Sequence, residues 1–154
     1  MSYKKTFQYH LDHVFRDVTS IGSFFFYCIL LLTTLAFKKI DLFLMLLFGL
    51  FFTGLVTILI RTFYFKPRPN KQTYVNYIDR IDASSFPSWH TSRVIFSSLL
   101  IINYFSENYH SLFSIIFLSI ATIVSYSRIY LKKHDWIDLT GGIILAIITL
   151  KIVN

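Results

Sequence analysis

Residues 18–37 and 42–60 carry no formal charge, and residues 108–127 carry none beyond a proton that His110 can take up. Runs of this length match what is needed to cross a hydrocarbon core of roughly 30 Å. In that solvent a single segment can satisfy its backbone only as a helix, so the runs predict an all-α integral membrane protein. Residues 94–106 and 139–153 are also apolar but look too short to cross until their polar beginnings are counted as helix. With 154 residues and 55% apolar content, the chain is expected to be one membrane domain.

The predicted architecture is a five-span helical bundle, with spans at 20–37, 41–65, 88–105, 109–128 and 136–153. Residues 3–17 place Phe7, Leu11, Val14, Phe15 and Val18 at helical spacing with charges between them, so 1–18 is expected to be an amphipathic helix in the interface. His10 and His13 belong to its solvated side. Lys38 to Asp41 reads as a tight turn, Ser106 to His110 as another, and His110 as interfacial. Pro67 and Pro69 end the second span by removing backbone donors, and 66–87 is left as a polar active-site loop in which Tyr74, Tyr77 and Ile78 suit a short interfacial helix. Cys28 is the only cysteine, which excludes an intrachain disulfide. The first apolar run is too long for the core of a cleavable signal peptide. The net charge of +7 has no nucleic-acid motif beside it, so the expected partners are the bilayer and a phosphate-bearing lipid; no oligomeric state follows.

Charged and polar residues interrupt this pattern at three places. One is Ser127-Arg128 followed by His134, Asp135 and Asp138. If the last helix begins near His134, then His134 and Asp138 are one turn apart, the carboxylate orients the imidazole, and one ring nitrogen stays free as base or nucleophile. Another is Arg61 with Arg68-Pro69, where an intramembrane arginine is functional by default and the bland alternative is snorkelling to the headgroups. The third is Pro87-Ser88-Trp89-His90, where Ser88 caps a helix whose unpaired N–H groups favour an anion. Alternating spans bring all three to one membrane face. Arg93 either reinforces that site or pairs with a loop aspartate. Trp89 and Trp136 also suit an aromatic belt, and Gly141-Gly142 suits close helix packing.

Arginines and a helix N-terminus converging on two histidines describe an oxyanion site. A metal at His90, His134, Asp135 and Asp138 is the weaker reading, because guanidinium groups repel a divalent cation, so no metal or other cofactor is expected. The chemistry that follows is attack of neutral His134, oriented by Asp138, on phosphorus, with Arg61, Arg68, Arg128 and N–H groups near Ser88 holding the equatorial oxygens. His90 would protonate the leaving oxygen and later activate water.

These stretches resemble the signature of the type-2 phosphatidic acid phosphatase family, membrane relatives of the vanadium haloperoxidases. The family pattern Lys-x6-Arg-Pro, Pro-Ser-Gly-His and Ser-Arg-x5-His-x3-Asp is matched here by Arg61-x6-Arg68-Pro69, Pro87-Ser88-Trp89-His90 and Ser127-Arg128-x5-His134-x3-Asp138. The resemblance implies His134 as nucleophile, Asp138 as its partner and His90 as general acid. It implies Arg61, Arg68, Ser88 and Arg128 as phosphate ligands, with no metal required. Arg61 departs from the family lysine by replacing a point donor with a planar fork. Trp89 departs from the family glycine, which brings strain if the position needs positive φ, and its indole would crowd the pocket mouth or stack on substrate. Many members have six spans, so the N-terminal helix here takes the place of the first.

The expected activity is hydrolysis of a lipid phosphate or diphosphate: a polyprenyl diphosphate, phosphatidylglycerol phosphate, phosphatidate or lipid A. The alternatives are phosphoryl transfer to an alcohol, and a non-enzymatic lipid-binding or transport protein with a relic site. The expected location is the cell membrane. Bacterial members act on the outer face, whereas the lysines and arginines around this site point inside, so no side is assigned.

Overall fold

The computed structural model describes residues 3–154, and the side chains of all but 3–5 and 106–110. The side chain of His110 therefore lies outside the described residues. The described residues form α1 (Tyr3–Ser20), α2 (Phe24–Ala36), α3 (Ile40–Phe63), α4 (Tyr77–Ala83), α5 (Trp89–Tyr104), α6 (Ser106–Tyr130) and α7 (Trp136–Val153). Among them, α3, α7 and the Ser111–Tyr130 part of α6 are each long and apolar enough to cross a membrane. Thr6–Ser20 and Phe24–Ala36, bent by 43° to each other, qualify together as a fourth span or a re-entrant loop.

The bundle's polarity suits lipid rather than water. Phe25, Leu32, Phe51 and Phe63 point outward, while Thr53, Thr57, Ser92, Ser98, Ser125 and Ser127 are buried. Between helices in lipid, small and weakly polar side chains permit close approach, and the large apolar ones have nothing to gain from leaving the hydrocarbon. On α3 the buried residues Leu42, Leu46, Leu50, Thr53, Thr57 and Arg61 recur at helical spacing, and that stripe turns Arg61 into the bundle rather than toward the headgroups. Central helix α5 packs against α3, α6 and α7. Its Phe96 and Leu100 meet Tyr27 and Leu31 of α2, Leu46 and Leu50 of α3, and Ala146 of α7 in the main apolar core.

The element boundaries differ from expectation in instructive ways. The first apolar run is divided at Ile21-Gly22-Ser23, where Ser23 caps α2 by accepting the Phe26 N–H at 3.2 Å, so α2 has only 13 residues. Helix α1 is docked on α6, with the Phe15 ring stacked 4.1 Å from that of Tyr130 and 6.0 Å from that of Tyr126. The turn expected at 106–110 contracts to Phe105, because α6 begins at Ser106. The 66–87 loop contains α4, capped by the Asn76 side chain on the Asp79 N–H at 2.9 Å. The Lys38 turn does form: Lys38 has φ 56°, its N–H donates to Leu35 O, and that of Lys39 donates to Thr34 O, both at 2.9 Å.

Candidate active site

The ends of α3, α5, α6 and α7 build the site. The N-terminus of α5 is capped by Ser88, which is fully buried; its hydroxyl accepts the Thr91 N–H at 3.4 Å and the Thr91 hydroxyl at 3.0 Å. Its own N–H donates to the Asp138 carbonyl at 3.0 Å, joining α5 to α7. That junction requires Gly142: a Cβ there would lie 2.7 Å from the Ser88 carbonyl oxygen.

The C-terminus of α6 closes with a six-to-one turn. Lys132 adopts φ 53°, the Lys133 N–H donates to Arg128 O at 3.0 Å, and the Lys132 N–H donates to Ile129 O at 2.9 Å. The His134 N–H also donates to Arg128 O, at 3.2 Å, so the backbone that holds Arg128 places His134 as well.

Helix α7 starts at Trp136 rather than His134, and His134 meets Asp138 from just before the helix. Asp135 is the N-cap: its Oδ1 accepts the Asp138 N–H and Asp138 Oδ2 accepts the Asp135 N–H, each at 3.0 Å. His134 Nδ1 lies 3.4 Å from Asp138 Oδ2, in ion-pair range but without hydrogen-bond alignment. This contact orients the ring and leaves Nε2 for the cleft. Asp138 is wholly buried, and its Oδ1 accepts from Lys66 Nζ at 2.8 Å and from the Ser85 hydroxyl at 3.2 Å. Lys66 also meets Asp135 at 2.6 Å.

Arg61, Arg68, Trp89, His90, Arg128 and His134 border one cleft of about 520 Å³. Ser88 and Asp138 are not on its wall: one caps α5 and the other backs His134. Arg61 donates to the carbonyls of Ile81 at 3.2 Å and Pro87 at 2.9 Å. Arg68 donates to Gln72 Oε1 at 2.9 Å and to the Asp82 carbonyl. Arg128 donates to the Thr19 hydroxyl at 3.0 Å. Each guanidinium is thus fixed by neutral oxygens, apart from a 3.6 Å contact between Arg68 and the exposed Asp82 carboxylate. Their charge is left largely uncancelled, which suits an anion.

The groups outside the helices titrate accordingly. Burial pushes the His134 imidazole below its ordinary value, with Arg128 adding to the effect and Asp138 opposing it. Burial and then Arg128 also lower the Lys133 ammonium. Burial works against the Lys66 ammonium, but its hydrogen bonds to Asp135 and Asp138 outweigh that and raise it.

Trp89 does not need positive φ: among the described residues only Lys38 and Lys132 adopt it outside glycine. The indole instead lies against α3, where its Nε1 donates to Thr53 Oγ1 at 3.3 Å and a Cβ at Gly54 would come within 2.9 Å of the ring. Arg93 faces the cleft rather than a loop aspartate, with its guanidinium 4.5 Å from the Trp89 ring centroid. Lys66 and Ser85, the partners of Asp138, and Thr19, the partner of Arg128, are not among the residues that the three motifs specify. For Lys66 the signal was its place beside Pro67, next to the motif arginine. For Ser85 and Thr19 the sequence carries none.

This is an all-helical, multi-pass membrane protein with a cationic cleft at one end of its bundle. The PAP2 superfamily model matches residues 41–154, and the chain belongs to that superfamily. No curated protein matches it. Among solved structures, LpxE of Aquifex aeolicus is similar with a TM-score of 0.75 at 24% identity, over 93% of this chain and 84% of that one. The transmembrane PAP2-type phosphatidylglycerolphosphate phosphatase of Bacillus subtilis is similar with a TM-score of 0.76 at 24% identity, over 93% of this chain and 74% of that one. At this identity the likeness is one of fold.

Proposed function

We propose that the protein is a lipid phosphatase that works through a phosphohistidine without a metal. The observation that carries this reading is His134, backed by Asp138, bordering one cleft with His90 and the guanidinium groups of Arg61, Arg68 and Arg128, where burial favours the neutral imidazole. Family membership supports it, as does the fold shared with a phosphatidylglycerolphosphate phosphatase. Nε2 of His134 attacks phosphorus and the bond to the leaving oxygen breaks; His90 supplies the proton that an alkoxide leaving group requires. Water then attacks the phosphohistidine, the P–N bond breaks with its electron pair returning to Nε2, and His90 accepts the water proton. The arginines hold the three equatorial oxygens throughout.

In the membrane, α2, α3, α5, α6 and α7 are proposed as the five crossings, with α1 lying in the interface and entering α2 through the Ile21–Ser23 break. The cleft is bordered by Thr19, Ser20 and Phe24, so this break lies at the level of the headgroups and the substrate's tail runs toward the bilayer. The deciding experiment measures inorganic phosphate release in detergent with EDTA present. The substrates are prenyl diphosphates, phosphatidylglycerol phosphate, phosphatidate and lipid A, for wild type and His134→Ala. Release that survives EDTA and falls by at least roughly 10³-fold in the variant is expected. Release by His134→Ala at the wild-type rate would sink the mechanism.

A further inference from the structure

Arg93 is not one of the motif arginines, and its surroundings are unlike theirs. It is 3% exposed, its Nε and Nη1 have no hydrogen-bond partner, and no carboxylate pairs with it among the described residues. Its polar contact is Nη2 to His90 Nδ1 at 3.4 Å, and the Trp89 ring supports the guanidinium face. A buried guanidinium with idle donors and no counter-ion is costly unless an anion arrives to use them.

Its position says which anion. Arg93 borders the phosphate cleft and also a second, half-open cavity of about 140 Å³ between α2, α5 and α6, lined by Phe26, Tyr27, Leu30, Val94, Phe117 and Ile120. The second cavity is apolar and has room for a stretch of one hydrocarbon chain. Arg93 thus stands where head and tail of a lipid would join, beside the histidine that serves the leaving group. Arg61, Arg68 and Arg128 suffice for the three oxygens of the phosphoryl group under attack. An alkoxide is neutralised by the proton from His90, whereas a phosphate departs as a stable anion, and it is this second kind of leaving group that a further cation on that side serves.

Resting on the phosphatase reading above, we propose that Arg93 is a specificity-determining residue that binds the tail-side phosphate of a diphosphate carried by a single-chain lipid. His134 Nε2 attacks the terminal phosphorus, the bridging P–O bond breaks, and its electron pair stays on the oxygen of the departing lipid monophosphate. That anion leaves without first taking a proton, and Arg93 neutralises it. Water then releases inorganic phosphate from His134, with the water proton passing to His90. A lipid monoester would expel an alkoxide and leave Arg93 without a partner.

The test compares farnesyl diphosphate with farnesyl monophosphate, which share one tail, on the full chain in detergent. Wild type should favour the diphosphate in kcat/KM by roughly 10- to 100-fold. Arg93→Gln should lose most of that preference, and Arg93→Lys should restore part of it. The readout is a ratio on one preparation, so a partly unfolded variant does not distort it. A purely structural arginine would lower both rates together and keep the ratio, and that result overturns the proposal, as does a wild type that prefers the monophosphate. Either leaves the phosphatase reading standing. Failure of wild type to hydrolyse any substrate of the wider panel would bring down that reading and this one with it.

Discussion

Burial favours the neutral form of His134, the form the proposed nucleophile requires, and that links its chemistry to pH. Its folded-state pKa lies below the ordinary 6.5, so between the two values the unfolded chain binds a proton that the folded one refuses. Stability gained from the neutral ring is therefore present above 6.5 and declines as pH falls below it. The acid limb of kcat/KM set by His134 is expected below pH 6.5. A pH series of turnover, run with thermal inactivation in detergent over the same range, checks both. An apparent pKa for that limb at or above the ordinary histidine value would mean that His134 is not held neutral by its site. Trp89 fits without strain. Its replacement of the family glycine looked like an obstruction, but Gly54 and Thr53 on α3 accommodate the indole, a compensation 35 residues away in sequence.

Among the elements, the α5–α7 crossing sets the geometry of the candidate site. Gly142 lets the Ser88 N–H reach the Asp138 carbonyl, so the His90 end of α5 and the Asp138 end of α7 are tied by one backbone bond. Backbone oxygen cannot yield to an added methyl as a flexible side chain can. Gly142→Ala is expected to push the helices apart, destabilising the protein by about 1–3 kcal/mol and lowering turnover more than substrate affinity. Thermal inactivation and steady-state kinetics measure the two effects. Unchanged kcat in a folded Gly142→Ala protein would show that the crossing does not govern the chemistry. The α1–α2 break is the element that periodicity could not show, since residues 18–37 remain apolar across Ile21-Gly22-Ser23 and only the Ser23 cap marks the interruption.

For the whole molecule, the five crossings proposed above would put the Lys38 turn and the C-terminus on one face and the cleft on the other. In a Cys28→Ser background, Lys71→Cys and Lys132→Cys should react with an impermeant thiol reagent from the same side of sealed vesicles. Lys38→Cys and Asn154→Cys should react only from the other. Labelling of Lys38→Cys from the cleft side would instead make α1 and α2 a re-entrant hairpin. The cationic cleft is a product of the whole bundle, because its charges come from α1, α3, the 66–87 loop, α5, α6 and the turn after α6. Motifs separated by dozens of residues meet there, as the proposed alternation of spans would have them do by returning every second helix end to the same face.

By itself the sequence determined that the chain is helical and membrane-embedded, because uncharged runs of that length leave the backbone no other partner. It also determined which residues form the motifs, through spacings that survive whatever lies between them. Tertiary structure alone decided how those residues are held. Lys66 and Ser85 stand on the Asp138 carboxylate, Thr19 steadies Arg128, Trp89 finds its space on α3, and Arg93 sits idle between cleft and cavity. The contacts of Lys66, Ser85, Thr19 and Trp89 join segments distant in sequence, and Arg93 owes its place to the packing of α5 between the cleft and the cavity. Periodicity reports which face a side chain takes, but only packing reports what that face meets.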